Sequence, residues 1–133
     1  MKYKSIISLT VILFLLSCGN DSNSKSLALD NGEKWKINME MRHPIEASQK
    51  LISDFGEDEK KDYQALATKL KENNQLLISS CTMKGKSHSE LHKWLHPHMV
   101  LVEELENATD QQKAGQVVGK IEQSFEIFNT YFQ

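Results

Sequence analysis

The stretch Ala114–Phe132, AGQVVGKIEQSFEIFNTYF, decides the fold. Ala114, Val117, Val118, Ile121, Phe125, Phe128 and Phe132 recur at steps of three and four. That spacing lays them on one face of a 3.6-residue helix, where a strand would need strict alternation. Gln116, Lys120, Glu122, Gln123 and Glu126 fall on the other faces. A helix with so apolar a stripe has to bury it against other elements.

The preceding chain supplies three partners with the same period. The stretch from near Asn38 to Phe55-Gly56 places Met41, Ile45, Ser48, Ile52 and Phe55 on one face, with Pro44 in its first turns predicting a bent start. A second helix is expected from about Glu59 to Cys81, with Tyr63, Leu66, Ala67, Leu70, Asn74, Leu77 and Cys81 facing inward and Gly85 as its stop. Ser87-His88-Ser89-Glu90 reads as a capping box opening a third helix, which runs to about Glu106 through Pro97. Thr109 to Gln112 reads as a second such box, opening the fourth. Short loops make successive helices antiparallel neighbours. The expected fold is therefore all-α, an up-down-up-down four-helix bundle after a signal peptide and a flexible tether. Its expected core is Ile45, Ile52, Leu66, Leu70, Leu77, Leu91, Leu95, Val102, Val118, Ile121 and Phe125. Glu33–Ile37 alternates polar and apolar and is read as a short extended segment laying Trp35 and Ile37 on the bundle.

The chain has 133 residues, enough for one domain. With 39% hydrophobic residues and only 6 Gly and 2 Pro, it is neither disordered nor collagen-like. A net charge of -2 without a basic tract argues against nucleic acid as a partner.

Lys2 and Lys4 precede an apolar run from Ile6 to Leu16, too short to span a bilayer as a helix and of the length of a signal-peptide core. Leu15-Leu16-Ser17-Cys18 closes it. This resembles the lipobox of bacterial lipoproteins, which implies that Cys18 carries a diacylglycerol thioether and becomes the mature N-terminus. Residues 1–17 are then the signal peptide, 18–32 the lipidated Cys and tether, and 33–133 the helical domain. Two or three acyl chains hold a protein durably on a membrane. The expected location is the cell envelope, on the outer or inner membrane.

Chemistry-bearing residues crowd between Cys81 and Met99. This segment holds four of the five His, two of the five Met and the one Cys outside the lipobox. Thiolate, thioether and imidazole together suit copper, above all Cu(I), with zinc second. Cys81 and Met83 sit one short turn from His88 and His92, an i, i+4 pair on one helical stripe. These four are the expected metal ligands. His96 projects further toward solvent, and His98 close to the centre of the apolar arc. Haem would need a pair such as Met39 or Met41 with His98, since no Cys-x-x-Cys-His motif is present. Glu40 with His43 is a single Glu-x-x-His without the second copy that a di-iron bundle requires. The alternative to a metal site is that Cys81 and the His are ordinary core and surface residues.

Phosphate loops, Gly-x-Ser-x-Gly and His-Glu-x-x-His are absent from the sequence, so no catalysis is expected. The run from Asn31-Gly32-Glu33-Lys34-Trp35 through Cys81-Thr-Met-Lys-Gly and His88-x-x-Leu-His-x-Trp-Leu to Phe132 resembles a group of small lipoproteins of Bacteroidota-type bacteria. That resemblance implies an envelope helical domain and supplies no established activity. The reading is a lipid-anchored binding protein for a soft metal. A structural or protein-interaction lipoprotein without metal is the second reading.

Overall fold

Four helices form where the apolar period places them: α1 Met39–Glu57, α2 Tyr63–Ser80, α3 Gly85–Glu106 and α4 Gln111–Tyr131. The computed structural model describes residues 26–133; Cys18 and the segment read as a signal peptide lie outside the described residues. Consecutive helices pack on one another, with few contacts from α4 to α1 or α2. Cross-helix bonds fix the antiparallel order. Gln64 at the start of α2 donates to Glu106 O at the end of α3. Trp35 N, just ahead of α1, donates to Tyr131 O at the end of α4. The fold is thus the all-α four-helix bundle that the stripes require.

All eleven expected core residues are buried, joined by Met41, Ala67, Trp94, Leu105, Ala114, Val117, Phe128 and others. Both prolines are accommodated: α1 runs unbroken through Pro44 and α3 through Pro97.

The helix starts differ from the sequence reading. Asp62 caps α2 by accepting from Ala65 N, so that helix begins at Tyr63 rather than near Glu59. Asp110, not Thr109, caps α4 by accepting from Lys113 N. The Ser87–Glu90 box does not form. α3 begins at Gly85, whose φ of +67° is left-handed backbone that glycine adopts without a Cβ clash. Ser87 Oγ bonds back to Lys84 O. Glu90 is spent elsewhere: it is buried, accepts from Ala28 N at 3.0 Å and pairs with Lys93 Nζ at 2.6 Å. Burial pushes the Glu90 carboxyl up, but the bonds from Lys93 and Ala28 outweigh it and hold the group below its ordinary range.

The segment before α1 straps the end of the bundle. Trp35 N donates to Tyr131 O and Gln133 N to Trp35 O, a short parallel bridge beside Phe132. Trp35 is buried and its Nε1 donates to Ala28 O. Lys93 Nζ reaches Ser26 O. Residues 26–32, read as tether, are therefore tied to α3 at Ser26 and Ala28. Asn38 closes the opposite ends of α1 and α2. Its Nδ2 donates to Ser80 O, one of the carbonyls that a helix end leaves unpaired, and its Oδ1 accepts from Thr82 N.

Candidate metal centre

A four-residue step on an α-helix advances about 40° beyond one full turn, so residues at i, i+4 and i+8 climb one flank together. His88, His92 and His96 do this on α3. His88 Nε2 lies 2.9 Å from His92 Nε2, and His92 Nδ1 lies 2.9 Å from His96 Nε2. Successive rings meet edge to face, with centroids 4.5 and 5.0 Å apart. His88 and His92 are half-buried, and His96 is exposed.

Each contact places two ring nitrogens at hydrogen-bond distance, and which of them donates depends on the tautomer. Burial holds His92 below the ordinary imidazole range, and the rings of His88 and His96 on either side add to the effect. A neutral imidazole is the form that binds a metal. Two nitrogens bound to one tetrahedral ion at about 2.0–2.1 Å each stand about 3.3 Å apart. The His88–His92 spacing of 2.9 Å is shorter than that bite and is a hydrogen-bond distance.

Cys81 and Met83 are placed differently. Cys81 is a half-buried free thiol at the C-cap of α2, and both side chains pack against the core. Among the described residues, no group of three or more His, Cys, Asp or Glu is arranged to hold a metal ion. The structure thus brings His88 and His92 together, adds His96, and does not gather Cys81 with them. The cause lies in the turn. Asn38 grips Ser80 O and Thr82 N on both sides of Cys81 and holds this segment to the start of α1.

His98 sits in the core, as its projection implies, only 1% exposed. Trp94 stacks on its ring at 4.7 Å and Phe125 meets it edge-on. Of the two methionines considered as haem partners for His98, Met39 is 79% exposed and Met41 is buried. Below His96, an open groove of about 540 Å³ runs between α2 and α3, bordered by Asn74, Ile78, Met99, Val100 and Glu103 among others.

No family model, curated protein or solved structure matches the chain. The chemistry of the site is therefore read from its own atoms. No helix among the described residues is long and apolar enough to cross a membrane. The sequence reading put His96 on the same stripe as His88 and His92 but further toward solvent, and did not expect its ring to bond that of His92. The signal for that bond was the same i, i+4 spacing that paired His88 with His92.

Proposed function

We propose that this chain is a lipid-anchored protein of the bacterial cell envelope that binds a soft metal ion, with copper favoured over zinc or haem. The observation that carries the reading is the His88–His92 pair, two imidazole nitrogens aligned 2.9 Å apart on one helix. Cys81 and Met83, on the turn just before α3, are the soft donors that this reading adds to the pair. Thiolate and thioether favour Cu(I). The lipobox Leu15-Leu16-Ser17-Cys18 supports the anchor, and no catalytic chemistry is assigned to the protein.

Two measurements test this reading. Cu(I) titration under reducing, anaerobic conditions is expected to give about one ion per chain. His92→Ala and Cys81→Ser are each expected to weaken binding at least about 10-fold, because a chelate loses a donor with either change. Binding unchanged in both variants would sink the metal reading. Independently, Cys18→Ser is expected to release the protein from membranes or to leave an uncleaved precursor. A Cys18→Ser chain that is still processed and membrane-bound would refute lipidation.

The α2–α3 groove favours a second reading, an interaction lipoprotein without metal. Ile78, Met99 and Val100 border it and are 47%, 37% and 52% exposed. Elemental analysis of the purified protein without bound copper, zinc or iron would favour that reading.

A further inference from the structure

We infer that the end of the bundle bearing Lys34, Lys36, Lys84 and Lys86 docks on an anionic lipid surface and holds the domain end-on over its anchor. The inference rests on the lipid-anchor reading above and assigns the face that meets the membrane.

Five segments converge at this end: residues 33–38, the start of α1, the end of α2, the start of α3 and the end of α4. Asn38 joins α1 to Ser80 and Thr82, Trp35 N bonds Tyr131 O, and Lys86 Nζ lies 5.5 Å over the Trp35 ring. Successive side chains of an extended segment point to opposite sides. Trp35 is buried, so Lys34 and Lys36 are turned outward together, and both are exposed. Lys84 and Lys86 flank Gly85 and are exposed at the same end. Met39, the first residue of α1, stands there 79% exposed.

Charge is divided along the bundle. At this end, residues 30–43, 81–88 and 127–133 carry five Lys or Arg against three Asp or Glu. At the other, residues 54–62 and 103–113 carry three Lys against nine Asp or Glu. An anionic lipid surface attracts the first and repels the second. Binding at such a surface also gains from buried apolar area, which Met39 supplies. The tether admits this orientation. Lys93 holds Ser26 O about 12 Å along α3 from Gly85. The eight steps from Cys18 to Ser26 span at most about 29 Å. That length reaches either end of the bundle, so charge decides which end the membrane meets.

The test adds the full chain, purified in detergent, to vesicles of phosphatidylcholine alone or of an equal mixture with phosphatidylglycerol. Flotation and amide hydrogen exchange are then measured. On the mixed vesicles, exchange is expected to slow at residues 33–39 and 82–86, to stay unchanged at 58–62 and 107–110, and to recover in high salt. Each lysine near an anionic surface favours contact by about fivefold, so Lys34→Gln, Lys36→Gln and Lys84→Gln together are expected to weaken docking about 100-fold and abolish the protection. All three side chains are exposed, so the triple variant is expected to keep its urea midpoint. A chain that floats with both vesicles and exchanges alike on them would overturn the docked face and leave membrane anchoring standing. Protection at 107–110 in place of 33–39 would overturn it too. Flotation with the mixed vesicles alone would support the docked face and refute the anchor. Flotation with neither would refute both.

Discussion

Replacing Leu70 with alanine is expected to cost about 2–5 kcal/mol of folding stability, the range for a leucine deleted from a packed core. Leu70 is 0% exposed in the middle of α2. That helix is flanked by α1 on one side and α3 on the other, so a cavity here weakens two packing layers. Domains of this size are stable by about 5–15 kcal/mol in all, so the variant would lose a large share. Urea unfolding should show a lower midpoint at nearly unchanged slope. Leu76 lies on the same helix but is 51% exposed. Leu76→Ala is expected to shift stability by no more than about 0.5 kcal/mol. Equal losses in the two variants would contradict the packing described.

Such contrasts were visible in the sequence because burial in a bundle follows helical period. Val118, Ile121 and Phe125 repeat at three and four, and each is buried. Helix starts were less legible, because caps depend on which polar group is free. Ser87 and Glu90 match a capping box in sequence. In the structure Glu90 binds Ala28 N, 62 residues upstream, and Lys93. A local pattern carries no information about a partner that distant. The Asp110 cap was missed for a smaller reason: Thr109 and Asp110 are adjacent, both are capping types, and only the backbone decides between them.

The candidate site divides along the same line. The His88–His92 pair is local, set by the rise and rotation of one helix, and its i, i+4 spacing revealed it. Cys81 belongs to a different element. Its place is decided by Asn38, more than 40 residues away, which bonds Ser80 O and Thr82 N. No spacing rule reports that grip. His96 shows the limit of projection from the other side. It is exposed, as the helical wheel implies, yet its Nε2 still touches His92 Nδ1. Exposure describes how much water a side chain meets, not which neighbour its ring nitrogens address.

Acid is expected to remove about 3 kcal/mol of stability through one residue, His98, between pH 6.5 and 4. The ring is 1% exposed, with Nδ1 2.9 Å from Ser124 Oγ and Nε2 buried without a partner. Ser124 O already accepts from Trp94 Nε1 at 2.8 Å, so one residue of α4 anchors both the indole of Trp94 and the imidazole of His98. Burial lowers the His98 pKa from 6.5 to about 4. Below pH 6.5 the unfolded chain takes up a proton that the folded core refuses, and the equilibrium moves toward unfolding by about 1.4 kcal/mol per pH unit. The loss stops near pH 4, where the folded ring is protonated as well. Glu90 acts in a lower window. Its carboxyl is held below the ordinary range, so its contribution is present above the unfolded value and lost as pH falls through the folded one. His98→Phe separates the two. Phenylalanine keeps the contacts with Trp94 and Phe125, and the Ser124 hydroxyl can turn to a carbonyl one helical turn earlier. Unfolding free energies at pH 7, 5.5 and 4 should show wild type falling more steeply than His98→Phe, by about 3 kcal/mol over the range. Parallel curves would mean that His98 is not the neutral ring sealed between α3 and α4.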